Sequence, residues 1–359
     1  MNIAIVGAGN IGTQIAVHCA YKGHNVTIFT SKTNLISKSL NIVNELGETI
    51  LSGDITCATD DAGLAFGNAD LVFVTVPAFH MSKIAETMTP HLKNGAKICL
   101  VPGSGGGEFA FKNAIDKGCV LFGLQRVPSV ARLVEYGKTV CATGYRDELF
   151  VAAIPSSFVN ECAQNISAIF DMKCSVMPNY LNITLIPSNP ILHTTRLKTI
   201  FNDYQPNKTY ADVPLFYEEW TDESSDLLLK CDNEVQEICK ALNTFDLSFV
   251  KSLKIHYESE NADQLTRKIT SIKSFKGLKT PCVQTDGGLI PDLNSRYFTA
   301  DFSFGLTILI QISNFLGLPC PYMQSTMDWY EKISLEKERF NFADYGINNL
   351  DDFINFYKQ

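Results

Sequence analysis

The sequence predicts an α/β chain in two parts, a doubly wound parallel sheet at the N-terminus followed by a mainly α-helical region. Three observations predict it. The apolar run Asn2–Val6 leads straight into a glycine turn, Gly7-Ala-Gly9-Asn-Ile-Gly12, and a helical pattern from Ile11 to Tyr21. Fully apolar strand patterns then alternate with helical ones, as in a parallel sheet covered on both faces. From Pro190 onward long helical patterns dominate. A chain of 359 residues suits two domains at roughly 100–200 residues each. We place them at residues 1–182 and 183–359.

The first strand and its turn carry the most specific signal. Gly7 allows a tight exit from the strand, Gly9 lets backbone approach a pyrophosphate, and Gly12 lets the next helix pack closely on the sheet. The N-terminus of that helix offers unpaired N–H groups and partial positive charge to phosphates. Together with Asn10 and Ile11, these glycines predict a Rossmann domain that binds a dinucleotide. Strands continue at Asn25–Phe29, Asp70–Val76, Ala96–Val101 and Val120–Gly123, with helices at His80–His91 and Glu108–Lys117. Ligands of such sheets sit beyond the carboxyl ends of the strands, where the strand order reverses. That rule brings Thr30, Ser31, Lys32, Val76, Pro77 and the second glycine cluster, Gly103–Gly107, to the same crevice as Gly7–Gly12. The second cluster reads equally well as backbone approaching a ligand and as a turn that needs positive φ. His80 reads as a helix-start residue.

The end of the second strand bears on the choice of cofactor. NAD-binding sheets place an Asp or Glu there to accept from the ribose hydroxyls, whereas this chain has Thr30-Ser31-Lys32. Two hydroxyls and a cation suit a 2′-phosphate, so NADP is favoured over NAD. Gly12 in place of Ala is the NAD-like choice at the third glycine, and Lys32 also reads as the cap of a solvated loop.

The net charge of −8, with no dense Lys/Arg run, argues against nucleic acid. No 18-residue apolar span points to a membrane, and no leader pattern precedes the first strand. Eleven cysteines without CxxC spacing indicate neither a disulfide framework nor a metal site. A reducing cytoplasm is the expected home.

Two polar patches interrupt the second half. In Ser188-Asn189-Pro190-Ile-Leu-His193, Pro190 suits a first helical position and puts His193 in the first turn. His193 is the best histidine for proton transfer, because imidazole titrates near neutral pH. In Asp292-Leu-Asn-Ser-Arg296-Tyr-Phe-Thr-Ala-Asp301, Arg296 can clamp a carboxylate with two parallel hydrogen bonds, and Asp301 can hold an imidazole in one tautomer. An Arg and an Asp five apart also form ordinary surface pairs.

The spaced combination of Gly7–Gly12, Val76-Pro-Ala-Phe79 with Pro90-His91-Leu92, Pro102–Gly106, Asn189-Pro190 with His193, and Gly277 through Arg296-Tyr297 to Asp301 resembles the octopine/nopaline (opine) dehydrogenase family. The resemblance implies a Rossmann domain and a helical domain. It also implies NAD(P)H-dependent reductive condensation of an α-keto acid with the amine of an amino acid, an oxidoreductase reaction on a CH–NH bond. His193 would then be the general acid/base, Asp301 its orienting partner and Arg296 a carboxylate clamp, with Asn189 near the substrate. One segment departs from the family pattern. An acidic residue and a tyrosine usual after the fifth strand are absent from Gln125-Arg126-Val-Pro128-Ser-Val-Ala-Arg132, where Gln125 and Arg132 read as substrate contacts or as loop salt bridges. Two other readings stay open: a ketone reductase like 2-dehydropantoate reductase or glycerol-3-phosphate dehydrogenase, which would use a lysine, and a non-catalytic NADP-binding sensor.

Overall fold

The computed structural model describes residues 1–186, 189–335 and 338–359, and the chain divides into two compact units. The first comprises Met1–Thr184 together with Ile354–Gln359, the second Leu185–Phe353. The expected second domain thus loses its last six residues to the first unit.

In the first unit, β1 (Asn2–Val6), β2 (Asn25–Phe29), a pair β3 (Ser39–Val43) and β4 (Thr49–Asp54), then β5 (Cys57–Thr59), β6 (Leu71–Val74), β7 (Lys97–Leu100) and β8 (Val120–Leu124) follow in order. A second pair, β9 (Val130–Glu135) and β10 (Thr139–Thr143), precedes β11 (Glu148–Ile154) and β12 (Lys173–Val176). Eight strands form one sheet in the order β12-β11-β8-β7-β6-β1-β2-β5. The run from β5 to β8 is parallel, and β11 joins β8 antiparallel. Strands β1, β6 and β7 are almost wholly buried, which is why they read as continuous apolar runs. The order reverses at β1, between β2 and β6, and the turns Gly7–Gly12 and Thr75–Pro77 leave from the carboxyl ends of β1 and β6.

A second, four-stranded sheet, β4-β3-β10-β9, lies over the helix Asn10–Tyr21. Its fit is close: a Cβ at Gly53 would lie 2.7 Å from Ala20 Cβ. Sequence patterning does not predict this sheet. Strand β4 alternates exposed and half-buried residues, and its pairing is non-local. Elsewhere the expected elements hold with trimmed ends. Strand β6 begins at Leu71, one residue later than expected and just after Asp70, whose carboxylate accepts from the Asn2 N–H and Lys93. The expected helix 108–117 is two short helices, Gly107–Ala110 and Lys112–Asp116, and the expected helix at 80–91 spans Met81–Met88.

The second unit is mainly helical, with its principal helices at Asn189–Ile200, Asp222–Ala241, Ala262–Ser271, Thr307–Phe315 and Pro321–Ile333. A hairpin of β13 (Cys282–Thr285) and β14 (Gly288–Pro291) is the exception to the helical expectation. Among the described residues no helix is long and apolar enough to cross a membrane.

Candidate active site

The glycine turn of the first unit has the geometry a dinucleotide requires. Gly7 has φ +96°, a conformation that disfavours any side chain. A Cβ at Gly12 would lie 1.9 Å from the Gly7 carbonyl oxygen, so only glycine lets the helix come this close. A Cβ at Gly9 would meet nothing within 4 Å, and that open side is where a pyrophosphate has room. The helix beginning at Asn10 has no acidic residue in its first turn to oppose an anion. Thr75 Oγ1 donates to the Val6 carbonyl at 2.8 Å and ties the ends of β1 and β6 together beside this turn. Val76 and Pro77 follow, half-buried, and Ile11 packs partly against the core. Asn10 directs its side chain elsewhere, accepting from the Leu133 N–H at 2.8 Å and fastening β9 to the helix start.

Ser31 and Lys32 are exposed beyond β2, and the Lys32 ammonium sits 5.1 Å from the centre of the Tyr136 ring. Thr30 Oγ1 accepts from the Lys32 N–H. None of Thr30, Ser31 and Lys32 supplies a carboxylate. In the second glycine cluster Gly105 and Gly106 have positive φ, while Gly103 packs against Gly123 Cα and the Tyr180 hydroxyl. The cluster is therefore both a turn that needs the positive φ of glycine and a close contact within the unit. Gln125 continues from β8 with its N–H bonded to Phe150, and Arg132 is exposed on β9, donating to the Ala131 carbonyl. Arg132 thereby adjoins Leu133 and the helix start that Asn10 holds.

In the second unit the structure brings His193 and Asp301 together. His193 lies in the first turn of the helix Asn189–Ile200, 5% exposed, with Asn189 exposed at the helix start. Ser188 lies outside the described residues. Asp301 opens a π-helical turn, Asp301–Leu306, that runs on into the helix Thr307–Phe315. The two segments touch at Gly305, where a Cβ would lie 2.8 Å from Pro190 Cγ. Phe302 anchors the π turn by stacking on Tyr330, with ring centres 4.3 Å apart. Across this contact Asp301 Oδ2 stands 2.8 Å from His193 Nδ1. A carboxylate can only accept, so Nδ1 carries the proton and Nε2 of the neutral ring is the free base.

Nε2 faces Tyr217, whose hydroxyl lies 2.7 Å away. Tyr297 covers one face of the imidazole at 4.1 Å between ring centres. Arg296 precedes Tyr297 in the chain and is exposed; its carbonyl accepts from the Ala300 N–H, and its guanidinium has no ion-pair or hydrogen-bond partner among the described residues. Sequence reasoning missed Tyr217 and Arg196. Tyr217 sits in an irregular turn, and the aromatic spacing Phe216-Tyr217 with Trp220 was the only hint of it. Arg196, one turn beyond His193 and 1% exposed, donates to the carbonyls of Leu215, Phe216 and Glu219 and to Ser224 Oγ. Burial lowers its pKa to about 10. It stays charged at neutral pH.

Comparison with known proteins agrees with this division. Residues 176–334 match the model of the NAD/NADP octopine/nopaline dehydrogenase alpha-helical domain, and residues 3–143 match that of the ketopantoate reductase PanE/ApbA family. The chain is 27% identical to the tauropine dehydrogenase of Arabella iricolor over 80% of each chain. It is 26% identical to the octopine dehydrogenase of Pecten maximus, over 94% of this chain and 91% of that one. The solved structure of an octopine dehydrogenase with NADH and L-arginine superposes with a TM-score of 0.86 at 23% identity, covering 98% of this chain and 97% of that one.

Proposed function

We propose, from the premise that this chain belongs to the octopine and opine dehydrogenase family, that it catalyses the NAD(P)H-dependent reductive condensation of an α-keto acid with the amine of an amino acid. The observation that carries this reading is the His193–Asp301 pair, a buried imidazole with one tautomer fixed, on the same segment as the unpartnered cation Arg296. The reaction needs a proton carrier, a clamp for an anionic substrate and a hydride. His193 is the general acid/base, oriented by Asp301, and Arg296 binds a carboxylate through its planar fork.

Gly9, Asn10, Ile11 and Gly12 would hold the pyrophosphate through backbone N–H groups, with Gly7, whose own N–H donates to the Phe29 carbonyl, making the turn and Val76 and Pro77 beside them. When bound, the dinucleotide supplies the hydride. Thr30, Ser31 and Lys32 favour NADP, because two hydroxyls and an exposed cation in place of a carboxylate suit a 2′-phosphate. Gln125, Arg132 and Asn189 are proposed substrate contacts, and of these Arg132 stands beside the dinucleotide turn. All eleven cysteines are free, in keeping with a cytoplasmic location.

The test is a panel assay. The protein is incubated with NADPH or NADH, pyruvate and each of a set of amino acids, and loss of reduced-nicotinamide absorbance is followed. Amine-dependent oxidation, faster with NADPH, is expected. Reduction of ketopantoate, with oxidation of the reduced nicotinamide and no amine present, overturns the reading in favour of a ketone reductase, the activity suggested by the match at residues 3–143. Cofactor binding without turnover on any substrate points instead to a sensor.

A further inference from the structure

The nitrogen that the proposed chemistry needs is already occupied by a phenol. With Nδ1–H committed to Asp301, Nε2 is the atom of His193 that must exchange protons, and the Tyr217 hydroxyl lies 2.7 Å from it in a buried contact. Tyr217 is firmly held. Its ring stacks on Phe275 with centres 4.1 Å apart and planes 19° apart, and on Trp220 at 6.1 Å and 8°. The turn that carries it is fastened by Arg196, whose guanidinium makes four hydrogen bonds to residues 215–224 and lies 5.3 Å from the Trp220 ring centre. A substrate atom could reach Nε2 directly only by displacing this stacked phenol. Tyr297, the residue after the exposed Arg296, also hydrogen-bonds Tyr217.

Resting on the condensation reading above, we infer that Tyr217 is the catalytic residue through which His193 exchanges protons with the substrate. Two transfers suffice. In the first, a substrate ammonium gives a proton to the Tyr217 oxygen while the Tyr217 hydroxyl proton passes to Nε2. The nitrogen keeps its electron pair and attacks the keto carbon. The resulting N–H⁺ and alkoxide neutralise each other to give a carbinolamine. In the second transfer Nε2–H returns its proton to the Tyr217 oxygen as the Tyr217 proton passes to the carbinolamine hydroxyl. The C–O bond breaks with its electron pair, water leaves, and the nitrogen pair closes the C=N bond that the hydride then reduces. His193 ends neutral, as it began, and no phenolate forms. Burial raises the pKa of Tyr217 above its ordinary value, which suits a conduit and would handicap a base.

Tyr217→Phe keeps the stacked ring and deletes the hydroxyl, with its bonds to His193 and Tyr297. With an amino acid that the wild type uses, kcat should fall by about 10²-fold or more, while NADPH affinity and the keto-acid KM change by less than about threefold. A proton inventory of single-turnover rates in H2O/D2O mixtures should be curved for the wild type, because two protons move together, and linear for the variant. A variant kcat within about threefold of wild type overturns the inference, as does a linear wild-type inventory. The wild-type inventory decides the matter even where the variant does not fold. A wild type inactive across the whole amine panel overturns the condensation reading and this inference with it, whereas an active wild type with an unaffected variant overturns this inference alone.

Discussion

Glu108 should make the first unit less stable as pH rises, against the usual trend for carboxylates. It is completely buried, and Oε1 accepts from Thr184 at 2.6 Å and from Tyr357 at 3.0 Å. Those two donors favour the charged form, but burial outweighs them and pushes the pKa up from 4.5 to about 7. Oε2 has no partner among the described residues, so the ionised group would be poorly compensated. Between pH 4.5 and about 7 the native chain therefore holds a proton that the unfolded chain has lost. By linkage, the stabilisation is complete below 4.5 and is lost as pH rises through about 7. At roughly 1.4 kcal/mol per pKa unit, the gap corresponds to roughly 3 kcal/mol, most of it falling between pH 5 and 8. For a unit of this size that is on the order of 5–10 °C in melting temperature. Glu108→Gln keeps a neutral side chain at every pH. Melting curves at pH 5 and pH 8 should show the wild type losing this increment and the variant not. Other buried acids, such as Asp232, whose pKa burial raises to about 6, affect both proteins alike and cancel in the comparison. Parallel losses in wild type and variant would refute the argument.

The remaining predictions concern the second unit. His193→Ala should lower kcat by about 10²–10⁴ with NADPH binding retained in a fluorescence titration, and equal loss of both would assign the residue to folding. Arg296→Ala should raise the keto-acid KM sharply, because the lost fork binds the substrate carboxylate, and an unchanged KM removes Arg296 from the site. Gly305→Ala places a methyl 2.8 Å from Pro190. Overpacking of this kind costs about 1–3 kcal/mol, and here it also parts His193 from Asp301. Chemical denaturation should register the first effect and kcat the second, and a variant that matches wild type in both counts against the contact.

The first unit was legible where local chemistry decides structure. Strand β1, its glycines and the helix after them follow from apolar patterning and backbone sterics: Gly7 takes a positive φ and Gly12 lets the helix approach, as expected. The sheet of β3, β4, β9 and β10 was not legible, because short half-exposed strands are specified by partners up to a hundred residues away. The return of Phe356 and Tyr357 to the first unit, where they pack on Phe109, is non-local in the same sense. In the second unit His193, Arg296 and Asp301 were candidates from their side-chain chemistry, and only a family resemblance joined them into one proposed site, since their spacing alone also fits surface residues. Tyr217 escaped because its turn has no periodicity and its placement depends on Arg196, a buried cation that reads in sequence as an ordinary helix-surface residue.

The π-helical turn at Asp301–Leu306 has an evolutionary consequence. Such a turn amounts to one residue more than a regular helix would accommodate. Deleting one residue within it would let the chain continue as an unbroken α-helix with its apolar face intact downstream. Each α-helical residue turns the chain by about 100°, so the carboxylate of Asp301 would swing away from His193 while the fold survived. The pairing is thus written as reading frame along the helix as much as residue identity, and the loss or gain of a single codon could silence or restore it.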